Sequence, residues 1–190
     1  GHTAYARDVV GAIFEAAEEG VRAMSVRPPI VYGPYDYTGR FGYWVDRISE
    51  YDRVLVPGDG TNIHHLVAVE NVAHAIRTVA EKGAAGEAYN AANPRVLTLG
   101  ELLESIASAL HTDVTLVTAS ARELGELELT DFPLYNPNPH VLGTAKLAAL
   151  GWNPVDVQTT IETAVQDPSE SERDPGPERS VTETVLDRLD

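Results

Sequence analysis

The chain has 190 residues, 43% of them hydrophobic, with 29 acidic against 14 basic side chains and a formal net charge of −15. This length and apolar content support one domain with a real core and exclude global disorder, while the acidic excess argues against a nucleic-acid partner because nothing offsets phosphate repulsion. The absence of cysteine removes disulfides, thiolate metal sites and cysteine nucleophiles, and points to a reducing, cytoplasmic setting.

Tyr5 to Gly20 reads as a helix, with Val9, Val10, Ile13, Phe14, Ala16 and Ala17 at helical spacing and Gly20 as its stop. Val21 to Val26 alternates as a strand ended by Pro28-Pro29, and Ile30-Val31-Tyr32 is a second strand running into Gly33-Pro34. A loop holding Tyr35 and Tyr37 precedes a helix from Arg40 to Tyr51. A short strand, Arg53 to Val56, then closes on Pro57-Gly58-Asp59-Gly60. His65 to Ala68 is another strand, leading into a helix from Val69 to Lys82 stopped by Gly83. Its expected buried stripe is Val69, Val72, Ala73, Ile76, Val79 and Ala80. Glu87 to Ala91 is a strand. Thr98 with Glu101 forms a capping box opening a helix that buries Leu99, Leu102, Leu103, Ile106 and Leu110. Val114 to Val117 is a strand, Ser120 to Leu127 and Thr144 to Leu150 are helices, and a last helix covers Val157 to Val165. Beyond Asp167 the composition turns acidic and rich in Pro, Gly and Ser, as in a disordered tail, with Val181, Val185, Leu186 and Leu189 spaced for a short terminal helix.

Short strands interleaved with amphipathic helices make an α/β fold. No Gly-x-Gly-x-x-Gly loop occurs, and the chain starts on a helix rather than on a strand leading into such a loop, so the complete parallel sheet is not expected. No apolar run approaches the ~20 residues of a membrane helix, and no signal segment is evident. A soluble protein with a small-molecule ligand and neither nucleic-acid nor membrane partners is expected.

Several segments, taken in order, resemble the extended short-chain dehydrogenase/reductase family of the NAD-dependent epimerase/dehydratase type. Arg27-Pro28-Pro29-Ile30-Val31-Tyr32-Gly33-Pro34 is similar to its Arg-Pro-x-x-x-Tyr-Gly-Pro segment. Gly58-Asp59-Gly60 followed by His65-Leu66-Val67-Ala68-Val69-Glu70-Asn71-Val72-Ala73 resembles the next landmark, and Gly86-Glu87-Ala88-Tyr89-Asn90 the strand after it. The helix from Thr98 to Leu110 follows in place, and Ala145-Lys146-Leu147 with Leu150-Gly151-Trp152-Asn153-Pro154 resembles the family's closing segment. The resemblance implies the C-terminal part of a Rossmann-like doubly wound sheet plus a small α/β substrate-binding subdomain, without the dinucleotide-binding half. Residues 1–34 would end the nucleotide-binding sheet, 35–166 would form the substrate subdomain, and 167–190 the acidic tail. It also implies NAD or NADP as cofactor, a sugar or nucleotide-sugar substrate, and pairing of two copies through the N-terminal helix, where Ala6, Val10, Ala12, Ile13 and Ala16 offer a small, apolar face.

The family reaction uses a tyrosine as acid/base with a lysine four residues later, since a phenol titrating near 10 is a poor base unless a cation stabilises its phenolate. Tyr5 is the tyrosine nearest the corresponding place, but Val9 stands where the lysine would be. Two explanations stand side by side: the helix carries a deletion and has lost its lysine, or the family tyrosine lies upstream and Tyr5 merely sits nearby. The resemblance assigns Pro28, Pro29 and Tyr32 to the cofactor side. Ile30, Tyr35, Tyr37, Asn62, His64 and His65 fall on the substrate side. Ile30 stands where sugar-nucleotide enzymes carry an asparagine, and His64 and His65 where an arginine-aspartate pair is usual, so an anion-binding role there is weakened. Successive strand positions face opposite ways, so the two histidines do not act as one bidentate group, and no metal site is expected. The alternative to an enzyme is a non-catalytic binding, vestigial or oligomerisation module on the same fold.

Overall fold

The computed structural model describes residues 11–166 and 175–189. Residues 11–18 are helical (α1) and close at Gly20, whose φ of 90° suits glycine and lets Val21 N–H bond back to Ala16 O at 2.9 Å. The remainder of the helix expected from Tyr5 lies outside the described residues. Strand β1 covers Ser25–Arg27 rather than starting at Val21, because the chain turns at Ala23, whose N–H bonds Val21 O at 2.8 Å. Strand β2, Ile30–Tyr32, follows after the two prolines. Then come α2 (Arg40–Glu50), β3 (Arg53–Pro57), β4 (Ile63–His64), β5 (Leu66–Ala68), α3 (Val69–Lys82) and β6 (Ala88–Asn90). The order continues with β7 (Leu97–Thr98), α4 (Leu99–Leu110), β8 (Thr115–Ala119), α5 (Ala121–Leu124), a 3-10 turn at Leu129–Asp131, α6 (Ala145–Ala148), α7 (Val157–Ala164) and α8 (Arg179–Leu186).

Strand β1 pairs in parallel with β6, β2 with β5, and β3 with β8, while the two-residue strands β4 and β7 pair antiparallel. Parallel pairs need crossover connections, and the helices supply them. The division expected at residue 34 is therefore crossed by two ladders, since β5 and β6 belong beside β2 and β1.

Two apolar cores result. The larger packs Trp44, Ile48 and Phe41 of α2 against Leu99, Leu102, Leu103 and Ile106 of α4, with Val54, Leu55 and Val56 of β3. The smaller holds Ala75 and Val79 of α3, Tyr89 of β6, Leu147 and Trp152. Helix α4 starts as its capping box dictates: Glu101 N–H donates to Thr98 Oγ1 at 3.1 Å and Thr98 N–H to Glu101 Oε2 at 2.8 Å.

Helix α3 has the expected limits but a different inward face. Asn71, Ala75, Thr78 and Val79 are buried, whereas Ile76 is 53% exposed. The reason is Asn71, whose amide Nδ2–H donates to Val155 O and whose Oδ1 accepts from Val155 N–H, both at 2.9 Å. That clasp turns the helix toward the Trp152–Val155 segment, whose indole also donates to Asn71 O at 3.3 Å.

The expected short terminal helix forms as α8, but over 175–189 the tail is anchored to the core instead of disordered. Val185 and Leu186 are each 2% exposed and join the larger core. Pro177 O accepts from Tyr43 Oη–H at 3.1 Å and from Arg47 Nη2–H at 3.0 Å. The Arg179 guanidinium lies 3.9 Å from the centroid of Tyr51 and donates to Arg53 O at 3.0 Å. Polar composition concealed these anchors: a chain can be fixed by a few carbonyls and three buried side chains. Residues 167–174 lie outside the described part.

Candidate functional site

Strands β2 and β5 run parallel, and the last pair of their ladder is Tyr32 with Ala68. The residues immediately after, Gly33 and Val69, line a cavity of about 340 Å³ with Pro29, Tyr35, Tyr37 and Arg40. Two further cavities adjoin it. One of about 700 Å³ shares Tyr37, Thr38 and Arg40 and adds Ile30, Tyr135 and Asn136; one of about 160 Å³ lies between Ile30, His64, His65, Asn136 and His140. The shared walls make one cleft along β2: the 340 Å³ part reaches the carboxyl ends of the two parallel strands, where open α/β sheets place ligands, and the other two extend toward their amino ends at Ile30 and His65. Gly33, at φ 113°, admits no side chain without strain.

The expected site residues meet different fates here. Tyr5 and Val9 lie outside the described residues. Pro28 is exposed and lines none of the three cavities, while Pro29 lines two. Ile30 lies between the largest and smallest cavities. Tyr35 and Tyr37 stand at the rim, 93% and 83% exposed, and Tyr35 holds a left-handed φ of 69°. Asn62 is spent on structure: its Nδ2–H donates to Asn136 O at 2.7 Å and its Oδ1 accepts from Asn136 N–H at 2.9 Å. His65 is spent likewise. Its Nδ1 accepts from Leu142 N–H at 2.9 Å, so its Nε2 carries the proton and donates to Asn93 O at 2.6 Å.

Tyr32 forms the floor, 1% exposed and stacked on Phe41 at 5.0 Å. The Thr160 hydroxyl donates to Val157 O at 3.0 Å, so the Tyr32 hydroxyl donates to Thr160 Oγ1 at 2.6 Å. Burial pushes the phenol up to about 12, too high for acid/base work at neutral pH. His64 is 1% exposed, and neither ring nitrogen has a hydrogen-bond partner among the described residues. Burial lowers its pKa to about 4, so the ring is neutral at pH 7. Among the described residues, no group of three or more His, Asp or Glu side chains could hold a metal ion, and no helix is long and apolar enough to cross a membrane.

Sequence reasoning missed Thr38, Arg40, Tyr135 and Asn136. Arg40 read simply as the first residue of a helix. Tyr135 and Asn136 come from a segment 74 residues beyond the Asn62 that holds it; a tyrosine in a proline-containing loop, as at Tyr35 after Pro34, was the available signal.

A family model described as the NAD dependent epimerase/dehydratase family matches residues 5–92. The chain is 24% identical over 135 residues to an Arabidopsis thaliana trifunctional UDP-glucose 4,6-dehydratase/UDP-4-keto-6-deoxy-D-glucose 3,5-epimerase/UDP-4-keto-L-rhamnose-reductase, covering 70% of this chain and 19% of that protein. In three dimensions it is similar to the Thermotoga maritima UDP-glucose 4-epimerase with UDP-glucose, at 23% identity and a TM-score of 0.63, covering 80% of this chain and 48% of that one. It is similar also to the Thermus thermophilus UDP-glucose 4-epimerase complexed with NAD, at 23% identity and a TM-score of 0.60, covering 77% and 46%. The chain thus spans about half the length of these solved relatives and a fifth of the curated one. Residues 5–92 thus match the NAD dependent epimerase/dehydratase family model, and the chain shares the parallel α/β fold of these solved epimerases.

Proposed function

We propose that this chain is the substrate-binding portion of an NAD(P)-dependent oxidoreductase of the epimerase/dehydratase type, acting on a sugar or nucleotide-sugar substrate. The observation that carries the reading is the cleft that opens at the carboxyl ends of β2 and β5, with aromatic rims at Tyr35 and Tyr37 and a polar wall at Thr38, and runs on past Ile30 to Asn136. A bound nicotinamide would accept and return the hydride. The 340 Å³ cavity, walled by Pro29, Gly33 and Val69, suits one ring and not an extended dinucleotide. Pro29 and the bare Gly33 backbone would hold that ring, and Tyr32 would support it from below. Catalysis by Tyr5 remains part of the proposal, with Val9 standing in the lysine's place.

A non-catalytic binding module on the same fold is the second reading. It is favoured by Tyr32, the tyrosine under the cleft, which is locked on Thr160 and pushed to about 12.

Amide spectra of the labelled chain test the proposal. Nicotinamide mononucleotide should shift Gly33 and Val69, and UDP-glucose should shift Tyr37 and Asn136. No change at either place, at millimolar ligand, would sink both readings; sugar shifts without nicotinamide shifts would leave the binding module.

A further inference from the structure

Resting on the reading of this cleft as the ligand site, we propose that the C-terminal arm, residues 175–189, is a strap that sets its outer wall. Gly176 is the positioning residue, and affinity in the cavity of about 700 Å³ depends on the strap being seated.

Two segments supply most of that cavity's walls: Tyr37, Thr38 and Arg40 at the start of α2, and residues 132–136. Trp44 of α2 ties them together from within. Its indole N–H donates to Pro133 O at 2.9 Å, and its ring stacks on Phe132 with centroids 6.4 Å apart. The arm ties the same two segments from outside. Pro175 lines the cavity together with Pro133, and Gly176 is wedged into the seam itself. A β-carbon on Gly176 would stand 2.6 Å from Pro133 Cδ and 2.8 Å from Tyr43 Cε2, nearer than either group tolerates. The next residue is fastened as well, since Pro177 O accepts from Tyr43 Oη–H at 3.1 Å and from Arg47 Nη2–H at 3.0 Å. Beyond it, Val185 and Leu186 hold α8 in the larger core.

The wall so held is strained. Leu134 keeps a left-handed φ of 67°, a conformation that costs a residue with a side chain and persists where its surroundings impose it. Leu134 is buried, and Tyr135 N–H closes the turn on Phe132 O at 3.1 Å. A strained turn pinned from two sides has a relaxed alternative once one pin is withdrawn. Lifting the strap withdraws the outer pin. The wall at 132–136 then relaxes away from α2, and the cavity between them loses the shape a ligand would fit.

The test uses the full 190-residue chain, isotope-labelled, with UDP-glucose as the probe. Gly176→Ala should speed hydrogen exchange at the Tyr135 amide at least about fivefold and weaken UDP-glucose binding by a similar factor. Exchange at the Ala91 amide, bonded to Arg27 O in the other core, should stay unchanged. That contrast separates a loosened wall from a destabilised fold. Val181→Ala, at an exposed position of α8, should change none of the three. Unchanged Tyr135 exchange in Gly176→Ala, or Tyr135 and Ala91 rising together, would overturn the proposal. So would a loosened wall that leaves UDP-glucose affinity intact. Should Gly176→Ala not fold, Tyr43→Phe removes one donor from Pro177 O without a clash. It should give the same pattern at smaller size, and no change at Tyr135 there overturns the strap equally. If UDP-glucose fails to bind the wild type, the sugar reading falls, and Tyr135 exchange by itself decides whether the arm sets the wall.

Discussion

His64 offers a sharp test of the electrostatics at the closed end of the cleft. The ring is 1% exposed, on the two-residue strand β4, with both nitrogens unpartnered among the described residues. Its pKa falls from 6.5 to about 4 because burial penalises the imidazolium. Above pH 6.5 both folded and unfolded states hold the neutral ring, and stability is fully present. Below 6.5 the unfolded state takes a proton that the folded state refuses, so stability drains away as pH falls toward 4. The whole window is worth about 3 kcal/mol, and pH 5 should already have removed about 2 kcal/mol. His64→Leu abolishes this titration and also removes two buried polar atoms lacking partners, each of which costs roughly 1–3 kcal/mol. The variant should therefore match or exceed wild type at pH 7.5. Its advantage should widen by about 2 kcal/mol at pH 5, or about 1 M in urea midpoint. Fluorescence of the buried Trp44 and Trp152 reports unfolding. The other five histidines and the acidic groups titrate in both proteins, so the difference isolates His64. An advantage independent of pH, or a variant much weaker at pH 7.5, would refute the reasoning.

The mirror case is Tyr32. A phenol raised to about 12 keeps its stabilisation below pH 10 and loses it as pH climbs from 10 toward 12, so Tyr32→Phe should cost about 1 kcal/mol at pH 8 but soften the alkaline loss expected in urea titrations across that same window. Asn62→Ala breaks both bonds to Asn136 and should lower stability by about 1–3 kcal/mol while raising hydrogen exchange at the Asn136 amide; unchanged exchange would show that Asn62 does not hold that segment. Leu186→Ala should cost about 2–5 kcal/mol in urea denaturation because the side chain is 2% exposed. Val181→Ala, on the 43% exposed position of the same helix, should stay within about 0.5 kcal/mol; equal small effects at both positions would mean α8 does not belong to the core.

What could be read from the sequence was whatever is written locally. Thr98 with Glu101 announces the start of α4, and both reciprocal bonds form. Helix α3 begins at Val69 and ends at Lys82 as its pattern and Gly83 specify. The inward face of α3 was not legible, because Asn71 bonds to Val155, 84 residues away, and a tertiary clasp outweighs an apolar stripe. Strand β4, two residues long, carries no alternation to detect. The ring-lined mouth of the cleft was half legible: Tyr35 and Tyr37 announce themselves beside Gly33-Pro34. Tyr135, Asn136 and Arg40 did not, since their place depends on the Asn62 clasp and on which way α2 presents its first residue.

The distribution of polar bonds explains how the cleft keeps its shape and why Asn62 and His65, two of its expected ligand contacts, are engaged with the backbone. Asn62, Asn71 and His65 each use a side chain to satisfy backbone groups on a distant segment: Asn136, Val155, and Leu142 with Asn93. Buried backbone polar groups need partners, and loops have no ladder to provide them. Each of these three side chains therefore fixes one stretch of the irregular 133–155 region against the β4–β5–α3 unit. His65, with both ring nitrogens engaged, cannot take a ligand without abandoning a buried amide or carbonyl, which costs more than a typical surface contact returns. Of the residues outside these three clasps, Arg40 and the exposed Tyr35 line the 340 Å³ cavity. At Asn62 and His65, sequence position thus pointed to side chains that hold the walls of the cleft in place.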